Sequence, residues 1–203
     1  MADDVEEFLA RFLYQGPCLI GQVRATPDYS MFHKEDAETA HLEIFTDPHD
    51  AIEIARYDDA GKYRPLKTAP NLRHGWRLQL DGLKEVALGL DFLYPAALGT
   101  ALLLTQARLA TVDLRETLAR QTGMYAVVRK ITDDQAESVV FNTCNHEDGC
   151  LRHILWSISS HRRTSLSRLA GEVQPSENEI PLLCAEACNL LVAAGRKRLK
   201  AVT

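Results

Sequence analysis

The chain has 203 residues, a net charge of −5 and a 46% hydrophobic content, long enough to bury roughly 70% of its unfolded surface without covalent staples. Its opening, MADDVEEFLARFL, is acidic and amphipathic and lacks the basic start and continuous apolar core of a secretory signal, which predicts a cytoplasmic protein. From Phe141 onward eight Lys and Arg face six acids, against fifteen and twenty-two before it; this modest asymmetry excludes a broad nucleic-acid footprint but favours an anionic partner or cluster near the C-terminal part.

Val5, Phe8, Leu9, Phe12 and Leu13 follow helical spacing, and Gly16-Pro17 stops it, so an amphipathic helix is predicted over 3–15. A short strand follows over 18–24, and residues 27–41 are polar without a clear period. Next come a strand over 41–46, a helix opened by Asp47 as cap and Pro48 as first residue, and a loop at 58–61. The segment KYRPLKTAPNLRHGWR, with two prolines, reads as an ordered loop leading into a strand at Trp76–Leu80. Asp81 is placed to cap a helix reaching about Tyr94, and Pro95 to start another that is apolar nearly all round and therefore buried. The uncharged run Phe92–Ala107 is broken by Pro95 and falls short of the ~18–25 residues a bilayer needs, so no membrane span is expected.

Residues 113–121 are amphipathic, with Gly123 as their stop, whereas 124–131 read equally well as strand or helix. Thr132 and Gln135 form a capping box for a helix running toward Cys144. Further helices are expected over 151–160 and from Pro181 to Gly195, separated by the Gly/Pro/Ser/Asn-rich stretch 171–179. The fold class is α+β: residues 1–110 form a small α+β part with a short antiparallel sheet, and residues 111–203 a mainly helical unit that holds the cysteine array.

That array is the most specific chemical signal. Four of the five cysteines fall in two pairs, Cys144 with Cys150 and Cys184 with Cys188, a C-x5-C then C-x3-C pattern. In a reducing compartment clustered cysteines bind metal or do redox work more often than they form lasting disulfides. Four thiolates suit an iron-sulfur cluster or a structural zinc, although C-x5-C is wide for a zinc knuckle. His146 and His153 offer substitute zinc ligands, and a metal-free thiol redox sensor remains a third reading. The predicted helices place Cys150 near one helix N-terminus, and Cys184 and Cys188 one turn apart on another. Cys18 stands alone and reads as a core thiol.

Lys62, Arg64, Lys67, Arg73 and Arg77 concentrate positive charge in one loop and are candidates for binding an anion such as a polycarboxylated tetrapyrrole, with Tyr63 and Trp76 beside them to stack on a macrocycle. A solvated loop with local ion pairs explains the same charges, and core packing the same aromatics. No phosphate-binding GxxxxGK, GxSxG elbow or HExxH occurs, so no catalytic residue is assigned.

Two resemblances attach to these residues. The cysteine order is similar to the four-iron array of sirohaem-dependent sulfite and nitrite reductases, but the second pair reads Cys184-Ala-Glu-Ala-Cys188 without their Pro-Asn-containing form, so it implies cluster geometry and not reductase activity. A wider resemblance runs from about Tyr63 to the end, through YRPLKTAPNLRHGW, LDFLYPAAL, LRETLARQTGMY and both cysteine pairs. This part looks like the extra C-terminal regions, one stabilising and one carrying a four-iron cluster, of long sirohydrochlorin cobaltochelatase-like proteins. The resemblance implies a 4Fe-4S cluster on Cys144, Cys150, Cys184 and Cys188, in a tetrapyrrole-metallation setting with a chelatase or redox partner. No segment corresponds to a chelatase catalytic domain, so that catalysis is not carried over. The oligomeric state is left open.

Overall fold

The structure, a computed structural model, describes residues 2–57, 60, 61, 63, 69, 71–144, 150–159, 173, 175, 176 and 178–201. Helix α1 (Ala2–Gln15) occupies the predicted span and buries Phe8, Leu9 and Leu13, the same residues that set its period. The stretch read as one strand is a hairpin, β1 (Cys18–Ile20) and β2 (Val23–Ala25), turning at Gly21. Strand β3 (Ser30–His33) lies in the segment that showed no period. All four of its residues are buried, and a strand covered on both faces has no polar side to alternate with.

Strand β4 (Glu43–Phe45) and helix α2 (Asp50–Arg56) follow; Asp47 accepts the His49 amide through Oδ1 at 2.8 Å just ahead of the helix. Strand β5 (Trp76–Gln79) begins where expected and buries Trp76 completely. Helices α3 (Leu83–Leu93) and α4 (Ala97–Thr105) meet at a 103° bend, and their inner faces, including Leu90, Leu93, Leu98 and Leu102, lie in the core. Among the described residues no single helix is long and apolar enough to cross a membrane.

In the second half, α5 (Leu114–Ala119) starts at Asp113, whose carboxylate accepts the Arg115 amide at 2.7 Å. Residues 123–130, read as strand or helix, form a long 3-10 turn. Helix α6 (Asp133–Cys144) opens on the anticipated capping box: the Thr132 amide donates to Gln135 Oε1 at 3.0 Å, and the Gln135 amide to Thr132 Oγ1 at 3.3 Å.

Two expectations fail here. Of the helix expected over 151–160, residues 151–159 are described and are not helical, with His153–Ile154 as strand β6. The helix expected from Pro181 to Gly195 is instead strand β7 (Glu179–Ile180), strand β8 (Leu183–Cys184), a bend, and helix α7 (Asn189–Lys200), with Gly195 buried inside it. Both errors share a cause: a short apolar run such as Ile154–Trp156 or Leu182–Leu183 reads alike as buried strand or buried helix, and only its pairing partner decides.

The strands make one six-stranded sheet, ordered β4-β5-β3-β2-β1-β7, and a two-stranded sheet of β6 with β8. The large sheet is mixed. Its centre is antiparallel, but β4 pairs parallel with β5, and β1 parallel with β7. The second parallel pair brings residues 179–180 onto the edge of a sheet otherwise built from the first 79 residues. One core lies under this sheet against α1, α2, α3 and α4, and another among α5, α6, α7 and the 3-10 turn.

The hairpin turn is where the two halves press together. Gly21 has φ +60°, and a Cβ there would stand 2.5 Å from Leu182 Cδ1 and 3.1 Å from the buried Tyr94 ring. Gly21→Ala therefore combines left-handed strain with overpacking, and a loss of about 2–4 kcal/mol is expected in urea denaturation. An unchanged midpoint would show that Leu182 and Tyr94 move aside freely.

Candidate metal centre

Cys144 is the last residue of α6, and Cys184 the last of β8. Cys188 is the N-cap of α7, with extended backbone (φ −78°, ψ 165°). Cys150 follows residues outside the described set and is pinned by the first half: the Ala69 amide donates to its Sγ at 3.3 Å, and the Leu151 amide to the Ala69 carbonyl at 3.0 Å. All four thiols line one cavity of about 270 Å³, walled by Pro95, Ile154, Trp156, Leu183 and Leu191, with Arg152 and Glu186 as its charged residues. Cys150 packs on the first core and Cys144, Cys184 and Cys188 on the second, so whatever binds here ties the two together.

Two details correct the expected local geometry. Cys188, rather than Cys150, sits at a helix N-terminus, where the free amides and the dipole of a 12-residue helix favour a thiolate or an anionic group. Cys184 and Cys188 are not on one helical face but at the two ends of a bend between β8 and α7. The four-residue spacing serves equally well for a loop that curls around a ligand.

The polar surroundings are arranged around sulfur. Trp156 is almost fully buried, and its indole Nε1 donates to Cys184 Sγ at 3.2 Å. Arg152 donates to the Pro95 carbonyl at 2.6 Å and to the Leu183 carbonyl at 2.9 Å, which fixes a positive charge beside the thiols and joins the α3–α4 corner to β8. At the rim, Glu186 is paired with Arg120 and accepts from Thr117 Oγ1 at 3.3 Å, docking the bend on α5. Burial, followed by the three neighbouring cysteines, pushes the Cys144 thiol up to about 12. Burial also raises Cys184 to about 11, against the lowering effect of the Trp156 N–H. A soft or borderline metal cation in the cavity would offset the effect of burial at Cys144 and Cys184 by stabilising their thiolate forms.

The remaining predicted residues fall elsewhere. Cys18 is buried and its thiol is raised to about 12 by burial, as expected of a core cysteine. His153 lies in β6 and does not line the cavity; His146 is outside the described residues. Of the basic loop, Lys62, Arg64 and Lys67 are outside the described residues. Arg73 pairs with Glu43 at 3.2 Å, and the Arg77 guanidinium stands 5.0 Å over the Phe32 ring. Tyr63 is 64% exposed.

Fold and cavity together define an α+β protein with a four-cysteine centre held between two cores. Residues 106–197 match the family model described as a 4Fe-4S iron-sulfur cluster binding domain, and residues 8–102 that of the DR2241 stabilising domain. Both regions of the resemblance are thus matched, stabilising first and cluster-binding second. Among solved structures it is similar to DR2241 from Deinococcus radiodurans, described as a multi-domain protein with structural similarity to chelatases and two additional domains, at 28% identity and a TM-score of 0.80. The match covers 98% of this chain and 41% of that protein, so the chain spans about two-fifths of its length. No curated protein matches.

Proposed function

We propose that Cys144, Cys150, Cys184 and Cys188 hold a 4Fe-4S cluster used in one-electron transfer or redox control, as an accessory to metal insertion into a tetrapyrrole by a chelatase partner in the cytoplasm. The observation that carries this reading is that all four thiols line one cavity of about 270 Å³. Four cysteines around one space suit a cubane cluster, whose irons sit at separate corners and each take one cysteine. The N–H donors of Trp156 and Ala69, the Arg152 charge and the α7 N-terminus favour an anionic occupant in the same way.

A cluster would supply reversible one-electron chemistry. Four protein ligands leave no open iron position, which favours electron transfer or structural support over Lewis-acid catalysis. The tetrapyrrole setting rests on the resemblance to long sirohydrochlorin cobaltochelatase-like proteins, and DR2241 is described as structurally similar to chelatases. In that setting Lys62, Arg64, Lys67, Arg73 and Arg77 are the side chains proposed to meet substrate carboxylates.

Iron, zinc and acid-labile sulfide content of protein purified without oxygen tests the proposal. About four irons and four sulfides per chain, with a brown colour bleached by dithionite, are expected. Stoichiometric zinc without colour would overturn it and leave a zinc-stabilised interaction module.

A further inference from the structure

Among the described residues one group of side chains, away from the cysteines, brings three metal-ligating atoms within 4.8 Å of one another: His33, Asp36 and His74. None of them lines the cysteine cavity. His33 ends β3, Asp36 closes the short 3-10 turn that follows, and His74 sits in the loop entering β5. The pairing of β3 with β5 therefore brings the three together from two places in the chain.

Each ligand is held, and the hydrogen bonding around them is incomplete. His33 is 1% exposed; its Nδ1 accepts the Glu35 amide at a long 3.3 Å, and its Nε2 is buried with no partner. A buried imidazole nitrogen shut off from both protein and water is uncommon and calls for an explanation. Asp36 is 6% exposed, and its Oδ2 accepts the Gly75 amide at 2.7 Å, which fixes the carboxylate and turns Oδ1 toward His74. An outer-shell hydrogen bond of this kind is what orients a ligating carboxylate.

His74 Nδ1 lies 3.3 Å from Asp36 Oδ1. That is longer than the ~2.7–2.9 Å of a charge-assisted hydrogen bond. It equals the edge of a tetrahedron around an ion with bonds near ~2.0–2.1 Å. The two imidazole centres are 3.9 Å apart, with no hydrogen bond between the rings. Glu35 Oε2 stands 3.9 Å from His74 Nε2, and among the described residues neither Glu35 nor Asp36 pairs with a Lys or Arg. Two imidazoles with neighbouring carboxyl groups are a donor set of the kind a divalent transition ion takes.

We propose that His33, Asp36 and His74 form a second metal site, independent of the cysteines, for a divalent transition ion of the zinc class. Two imidazoles with one carboxylate select zinc, nickel, cobalt or ferrous iron over magnesium and calcium, which prefer oxygen ligands throughout. The ion joins the end of β3 to the loop that opens β5, and leaves a coordination position toward solvent on the half-exposed His74 side.

Cobalt(II) titration of the full chain, purified without oxygen so that the cysteine centre keeps its occupant, tests the site. The parent should take up one equivalent of cobalt with the visible bands of a tetrahedral nitrogen and oxygen site and without thiolate charge transfer. His74→Ala and Asp36→Asn should each weaken that uptake by at least ~10-fold, the lower end of what even outer-shell losses cost a metal site. His74 is half exposed, so its variant should keep the parent melting temperature in the absence of added metal. Equal cobalt affinity in the parent and in both variants, or uptake that appears only with thiolate bands, would overturn the proposal.

Discussion

Cys188→Ser is expected to lose the stoichiometric iron and colour of the anaerobically prepared protein and to unfold the C-terminal half at markedly lower temperature. The substitution isolates the ligand from the fold. Cys188 is the N-cap of α7 and makes no side-chain cap bond, whereas Ser is among the preferred N-cap residues, so the start of the helix is kept or improved. What disappears is one of four thiolates. Since outer-shell changes alone cost a metal site about 10–100-fold, losing a ligand should exceed that range. Metal binding free energy at such centres is folding free energy, and in the proposed centre it would connect Cys150 on the first core to three cysteines on the second. The helical half should therefore lose cooperativity with the sheet. Iron analysis with a thermal melt decides the matter, and a variant with full colour and the parent melting temperature would remove Cys188 from the ligand set.

Trp156 should give the next largest effect, and two substitutions separate its two roles. The side chain is 1% exposed and packs in the second core, so Trp156→Ala should cost about 3–5 kcal/mol in denaturant unfolding, with loss of the cavity wall beside Cys184. Trp156→Phe keeps most of the apolar surface but removes the Nε1–H that Cys184 Sγ accepts at 3.2 Å. Hydrogen bonds to cluster sulfurs favour the more negative, reduced state. The Phe variant should therefore retain iron and show a lower reduction potential in a titration followed by electron paramagnetic resonance. An unchanged potential with iron retained would mean that the indole only packs.

Several elements were legible because their signal is local. The period of Val5 to Leu13 and the Thr132–Gln135 box use residues within a few positions of one another, and each appears as read, whereas the helix expected to open at Asp47-Pro48 starts at Asp50 with His49 as its N-cap. The closed apolar run of α3 and α4 likewise told of burial, which the 103° bend makes compatible with a compact core. Where a short segment depends on a distant partner, reading failed. His153–Ile154 is a strand because Leu183–Cys184 lies beside it, and Ser30–His33 is a central strand hidden by its own complete burial. His33 and His74 carried no recognisable motif, since 41 positions separate them and only β3–β5 pairing closes the gap.

For the centre itself, the sequence by itself determined the chemistry of the donors: four thiols in two close pairs, in a chain whose length needs no disulfide staple. Ligand identity depends on side-chain type and survives any folding. Tertiary structure alone decided where those thiols stand: Cys188 at a helix N-terminus, Cys184 under the Trp156 indole, and Cys150 held by the Ala69 amide from 81 positions away. Such placements come from the packing of two cores and from the parallel pairing of β1 with β7, which joins residues about 160 positions apart. Contacts over that distance leave no periodic trace in the chain, because what selects them is the burial of apolar faces made by many residues at once.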